Sequence, residues 1–304
     1  MISPTLASLS RPELDRKLHG PGLWLATPPF TICLRSPLPE LGDGLLCVYA
    51  DYPLAEPGMA DFHLALRPAR SPEGWWRRGV LFDADGRVPF TALPVSQAFA
   101  MLEWGLNWCI SNRMHQYLII HAAMLERHGR GVILVGEPGA GKSTLSAALM
   151  QEDWRLLSDE ITVINADCRL QPVPRPVSLK NTSIDMIRQR YPQAILTDTA
   201  HNTSKGSVAH LKPSPVSLQQ ADEAVTPALI LFPIYKAGTA LRIDPVTRGD
   251  SLIRMVEGAF NYHLLGEEGF ERLADTIEAC ACHELEYADL DELVPALNRL
   301  VDTA

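Results

Sequence analysis

Residues 136–144 read Gly-Glu-Pro-Gly-Ala-Gly-Lys-Ser-Thr, and no other stretch limits this chain's fold so strongly. The segment matches G-x-x-x-x-G-K-[ST], the phosphate-binding loop, at Gly136, Gly141, Lys142 and Ser143. Glu137, Pro138, Gly139 and Ala140 fill the loop, and Thr144 follows it. Glycines let successive backbone N–H groups turn inward onto phosphate oxygens. A helix that follows adds its unpaired amides and its positive dipole end. In that setting Lys142 meets the β- and γ-phosphates and the Ser143 hydroxyl ligates Mg²⁺. Such a loop must follow a buried strand and open a helix. Val132–Val135 precedes it and Leu145–Leu149 follows it, so both conditions are met. The expectation is an α/β fold around a P-loop nucleotide-binding core, with ATP and Mg²⁺ as cofactors.

Two further groups fall near the loop. Asp159-Glu160 comes 17 residues after Lys142. That interval suits a helix of three turns and a parallel strand beside the first. A right-handed crossover then brings both strand ends to one sheet edge, with the acids beside the phosphates. One carboxylate can position Mg²⁺; the other can accept a hydroxyl proton or orient the attacking group. Upstream, Tyr117–Leu125 and Gly131–Val135 flank the turn Arg127–Arg130, which suggests a hairpin. If Glu126 pairs with Gly131, His121 falls opposite Gly136, at the loop edge. A histidine there is either a satisfied core residue or a group that holds Asp159 in place and tunes it.

The rest of the chain sets limits. With 27 basic and 36 acidic residues the formal charge is −9, and 46% of the 304 residues are hydrophobic. Disorder needs low hydrophobicity and high net charge, so it is excluded. Nucleic-acid binding is not expected, because phosphate-driven binding shows as a basic domain. The N-terminus lacks the apolar run of a signal peptide, and the longest apolar runs are too short for a membrane span. The six cysteines are scattered, apart from Cys280 and Cys282 beside His283; without a second ligand pair at zinc spacing they read as reduced thiols. A cytoplasmic protein is expected.

Residues 1–93 read as a small β-rich region with a hairpin of Val80–Phe82 and Val88–Phe90 around Asp85-Gly86. Trp75-Trp76 with Arg77-Arg78 reads as partly exposed packing. Residues 94–304 read as the catalytic domain. It opens with a helix over Val95–Asn112, with Ser96 as its cap. Helices are expected over 142–151, 250–260, 267–281 and 289–301, and strands over 155–157, 161–164 and 228–234. Residues 171–216 read as long functional loops around short elements. They carry Arg175, Lys180 and Lys205 as candidate phosphate or substrate contacts, and 197–212 as a candidate lid.

These pieces resemble a known family. The order Ile120-His121-Ala122, Gly131–Thr144 and Leu157-Ser158-Asp159-Glu160 is similar to the HPr kinase/phosphorylase catalytic domain. Arg175–Asn181, and Phe260-Asn261-Tyr262 with Gly266, look like its divergent branch, HprK-related kinase A. Phosphoenolpyruvate carboxykinase is a more distant relative of the same core, so the resemblance implies a mixed sheet of that type. It makes His121 the active-site histidine, Lys142 the P-loop lysine and Ser143 a magnesium ligand. Asp159 becomes the base that takes the proton from a substrate serine, and Glu160 the metal-side carboxylate. Thr144 stands where the better-known members carry Glu, and their Gly-Arg-Asn motif is absent. Asp185 is a weak match for a second magnesium ligand. The implied function is a kinase acting on a serine or threonine hydroxyl of a peptide or small protein. A peptide-binding chaperone is a possible partner in that setting, and a homo-oligomer a possible assembly. The alternatives are a small-metabolite kinase on the same core and a nucleotide-binding regulator with little turnover.

Overall fold

The computed structural model describes residues 4–69 and 79–303. In chain order the elements are α1 (Arg11–His19), β1 (Leu23–Thr27), β2 (Phe30–Arg35), α2 (Pro39–Val48), β3 (Phe62–Ala69), β4 (Gly79–Ala84), β5 (Leu93–Pro94), α3 (Ala98–Arg113), β6 (Leu118–Ile120), β7 (Ala122–Arg127), β8 (Arg130–Val135), α4 (Lys142–Gln151), β9 (Arg155–Ser158), β10 (Thr162–Ile164), β11 (Val177–Lys180), α5 (Thr182–Arg190), β12 (Ala200–Thr203), β13 (Gly206–Leu211), α6 (Pro215–Gln219), β14 (Thr226–Tyr235), β15 (Arg242–Pro245), α7 (Arg248–Glu257), α8 (Tyr262–Leu265), α9 (Glu267–Glu278), β16 (Ala281–Tyr287) and α10 (Leu290–Thr303). The class is mixed α/β with mixed sheets. The chain divides into two compact units, Met1–Ile110 with Ser178–Lys212, and Ser111–Val177 with Pro213–Ala304.

The first unit reaches beyond the expected 1–93. Its five-stranded sheet has the order β1-β2-β3-β4-β5, with only β2 and β3 parallel. Helix α3 joins it because Gly105 admits the Phe82 ring; a β-carbon there would stand 2.2 Å from it. The segment 178–212 joins it through named contacts. Gln97 Nε2 donates to the carbonyls of His201 and Asn202 at 3.1 and 3.2 Å, and Lys212 Nζ lies 2.7 Å from Asp51. The short elements of that segment are β11, α5, β12 and β13, with a loop over 191–199. The expected lid is the hairpin β12–β13, with His210 buried edge-on against Phe99.

Two more expectations in this unit are corrected. Asp85 and Gly86 do form a turn, with φ of 52° and 83°, but the return strand is Leu93–Pro94 rather than Val88–Phe90. Within the region read as β-rich, the apolar stretch Leu45–Tyr49 closes α2 and supplies its C-cap instead. The Trp75-Trp76 and Arg77-Arg78 reading lies outside the described residues. Helix α1 was legible but passed over. Ser10 accepts from the Glu13 N–H and Glu13 reaches back to the Ser10 N–H at 2.8 Å, a capping box with Pro12 inside it.

The second unit is built on a six-stranded sheet of order β15-β16-β14-β8-β7-β9. Strands β8, β14 and β16 are parallel; β7 is antiparallel to both β8 and β9, and β15 to β16. Strand β9 therefore is not the neighbour of β8, as the spacing led us to expect. β7 stands between them. Two successive antiparallel pairings still leave β9 running with β8, so their C-terminal ends share an edge. Strand β16 replaces the end of the helix expected over 267–281. The expected helix over Val95–Asn112 becomes a 3-10 turn at Val95–Gln97 and then α3, so Ser96 does not cap it. Among the described residues no helix is long and apolar enough to cross a membrane.

Candidate functional site

The site is assembled at the C-terminal edge of β8. Val132–Val135 is buried, and its apolar run continues into the glycine loop at the sheet edge. Gly139 and Gly141 both adopt φ of +94°, the left-handed region that a β-carbon disfavours. A β-carbon on Gly139 would meet nothing within 4 Å, so that face of the loop is open. Gly141 caps α4 without a side chain, and Leu145 N–H donates to its carbonyl at 2.9 Å. The remaining first-turn amides of α4 are those a helix leaves without an intrahelical partner. The Lys142 ammonium is held inside the loop, donating to the Gly136 carbonyl and to that of Glu137 at 3.2 Å. Open glycine backbone, a bare helix start and an enclosed ammonium together fit a polyphosphate.

On one flank stand the acids and His121. Strand pairing runs Glu126 with Gly131 and Ala122 with Val135, so His121 is one residue beyond the last pair, level with the loop's first glycine. The expected single strand over 117–125 breaks at this residue. Strand β6 pairs with β10 and β7 joins the main sheet, so His121 marks the point where the chain changes partners. Its N–H donates to Gly258 O at 2.7 Å, and its ring meets Phe260 edge-on with centroids 6.0 Å apart. Asn261 secures the same strand. Its Oδ1 accepts from Ile119 N–H at 2.9 Å and its Nδ2 donates to Tyr117 O at 2.7 Å. The Phe260-Asn261 segment read from sequence is thus a clamp on the histidine's strand.

Met124 pairs with Ser158, so Asp159 and Glu160 leave β9 at the same edge. Asp159 is only 5% exposed, whereas Glu160 is half-buried with Oε2 3.9 Å from His121 Nδ1. Oxygen donors of the Ser143 and Glu160 kind suit a hard cation that takes its remaining ligands from phosphates and water. Among the described residues no group of three or more His, Cys, Asp or Glu is placed to hold a metal. Cys282 and His283 are consecutive on β16 and so point to opposite faces of the sheet, which explains why that cluster does not form. Burial pushes the Cys280 thiol up to about 12, that of an inert thiol.

The remaining candidates are divided between the two units. Arg175 is buried in the second unit. Lys180 and Lys205 belong to the first, where the Lys205 ammonium lies 5.6 Å from the Trp104 ring centre. Asp185 is exposed on α5, also in the first unit. Sequence reasoning missed two residues at the loop. A β-carbon at Gly141 would stand 2.5 Å from the Tyr287 hydroxyl and 3.6 Å from Tyr235 Cβ. Tyr235 closes β14 beside β8, and Tyr287 closes β16, the next parallel strand out. Alternation in Ala281–Tyr287 was the available signal, masked by His283, Glu284 and Glu286.

The molecule is a mixed α/β protein whose glycine loop opens a helix beside a histidine and two carboxylates. A family model described as SynChlorMet cassette protein ScmC matches residues 97–176. The HPr kinase/phosphorylase of Nitrosomonas europaea is 26% identical over 204 residues, 64% of this chain and 61% of that protein. Those of Prosthecochloris aestuarii and Chlorobium phaeobacteroides are 36% and 39% identical over 56 and 54 residues, each 18% of this chain and 16% of theirs. The HPr(Ser) kinase/phosphatase structure from Coxiella burnetii is 13% identical, covering 60% of this chain and 93% of its own, with a TM-score of 0.26. The chain is similar to HPr kinase/phosphorylases over part of its length, and it spans less than two thirds of the length of the curated relatives it matches.

Proposed function

We propose that this chain is an ATP- and Mg²⁺-dependent kinase that transfers the γ-phosphate to a serine or threonine hydroxyl of a peptide or small protein. The observation that carries the reading is the meeting of His121, Asp159, Glu160 and the glycine loop at one sheet edge, with His121 Nδ1 3.9 Å from Glu160. Asp159 accepts the hydroxyl proton as the acceptor oxygen attacks the γ-phosphorus. The bond from that phosphorus to the bridging oxygen breaks, and ADP carries the electron pair away. Lys142 and the α4 amides neutralise charge on the phosphates, which in phosphoryl transfer is most of the catalytic task. Ser143 and Glu160 would hold Mg²⁺, which would supply further charge neutralisation to the phosphates. His121 keeps the acidic pair in place. Arg175, Lys180 and Lys205 are proposed as cationic contacts to phosphate or acceptor. The first unit is proposed to recognise the acceptor, within the HprK-related kinase A branch.

Incubation with labelled ATP and a panel of serine peptides tests this. Asp159→Asn is expected to lower transfer roughly 10²–10⁴-fold, the usual size of general-base catalysis, with nucleotide affinity retained. Full transfer by that variant refutes the assignment of the base. Label appearing on a small metabolite and on no peptide overturns the acceptor class.

A further inference from the structure

The two flanks of the glycine loop differ in chemistry. In the order β15-β16-β14-β8-β7-β9 the loop leaves the middle of the sheet at β8. His121 and the acids lie on the β7 and β9 side. On the other side β14 and β16 run parallel to β8, so all three end at the loop edge. Tyr235 closes β14 and Tyr287 closes β16, and the two are register partners. Their rings meet edge-to-face, with centroids 5.8 Å apart and planes at 70°. Tyr287 is buried, with its hydroxyl against Gly141. Tyr235 stays 49% exposed, although its Cβ lies beside the same glycine. A rigid buried ring thus backs a solvent-facing ring next to the residue that opens the phosphate helix.

A nucleoside triphosphate has two distinct ends, and the sheet fixes which end faces which flank. Strands are spaced about 4.8 Å apart, so β9 and β16 stand roughly 10 Å to either side of the loop. The transferring end must reach the acids on the β9 side. The base then leaves the loop toward β14 and β16. We propose that Tyr235 is the stacking platform for the nucleobase, with Tyr287 as its buried support; the inference rests on the nucleotide-binding reading above. Aromatic faces stack on any base, so this contact supplies affinity without reading the base's edges.

Calorimetric titration of the full chain with Mg²⁺-ATP and with Mg²⁺-tripolyphosphate tests it. Tripolyphosphate occupies the loop and has no base to stack. Tyr235→Ala is expected to weaken ATP roughly 5- to 150-fold, the range of base–aromatic stacking, and to leave tripolyphosphate within twofold. Tyr235→Phe is expected to keep ATP affinity, since the ring and not the hydroxyl makes the contact. An unchanged ATP affinity in Tyr235→Ala overturns the proposal, as does an equal loss for both ligands. If the native protein binds neither ligand, the nucleotide-binding reading itself fails, which is a different result from either.

Discussion

Gly141 offers the sharpest test of the loop geometry. Its φ of 94° and ψ of 5° place it in the left-handed region, where an alanine costs about 1–2 kcal/mol. A second cost is steric. The new β-carbon would stand 2.5 Å from the Tyr287 hydroxyl, well inside the 3.4 Å at which ordinary contact begins. The tyrosine cannot swing away freely, because it is buried and its backbone is paired along β14. Overpacking of this kind costs about 1–3 kcal/mol. Gly141→Ala is therefore expected to lose about 2–5 kcal/mol. The two parts are separable. Beyond that hydroxyl the nearest atoms, Tyr287 Cζ and Tyr235 Cβ, lie at 3.6 Å. Removing one oxygen with Tyr287→Phe thus relieves the clash and leaves the backbone cost. The double variant is expected to regain about 1–3 kcal/mol over Gly141→Ala, a coupling visible in a double-mutant cycle. Thermal melting reads it, at roughly 2–4 °C per kcal/mol for a unit of this size. A double variant as unstable as Gly141→Ala refutes the packing of Tyr287 against the loop. A single variant that melts with the native protein refutes the left-handed loop as well.

Two further outcomes follow from buried charge in the second unit. Arg155 on β9 is buried, with Nε 3.2 Å from Glu126, and it donates to Gln220 Oε1 at 3.0 Å and Glu223 O at 2.8 Å. Burial pulls its pKa down while Glu126 and Glu223 oppose that. Arg155→Met leaves the half-buried Glu126 carboxylate without its arginine, at a cost of about 3–5 kcal/mol in urea unfolding; adding Glu126→Gln should recover part of it, and a loss under about 1 kcal/mol refutes the network. Burial likewise lowers the pKa of His283, whose Nδ1 has no hydrogen-bond partner. The unfolded chain then binds the proton more readily, so its contribution to stability is present above about pH 6.5 and is lost as pH falls from there toward the lower folded value. His283→Gln should flatten the fall in melting temperature between pH 7 and pH 5.5; an identical pH profile overturns that assignment.

Much of the second unit was legible because its signals are local. The loop motif, the apolar run before it and the helix after it lie within consecutive residues, and all three form where expected. Strand register followed from one turn: Glu126 does pair with Gly131. Non-local pairing was harder to read. Tyr117–Leu125 looks like one strand, yet it breaks at His121 because Gly258 and Asn261, far along the chain, take over the backbone groups on one side. Strand β16 carries His283, Glu284 and Glu286, which hide its alternation; its strand state comes from pairing with β14 and β15. The segment 178–212 reads as polar loop in isolation. It is ordered by partners such as Gln97 and Asp51, which no local pattern reveals.

The insertion of β7 shows which part of the edge argument was robust. The acids were expected near the loop because β9 would lie beside β8. That adjacency fails, but strand direction survives, since a strand antiparallel to both neighbours leaves those neighbours parallel. Direction alone decides which sheet edge a strand's C-terminal end reaches. What the inserted strand adds is its own first end. Strand β7 runs against β8, so it begins where β8 finishes, and the residue that enters it is His121. A directly adjacent pair would have placed only the acids beside the phosphates. The hairpin instead delivers a third titratable group between loop and acids. It does so with the same turn that fixes the register, so shifting that turn by one residue would move His121 to the opposite face of the sheet. The spacing of the Arg127–Arg130 turn is accordingly as much a part of the proposed site as the glycines are.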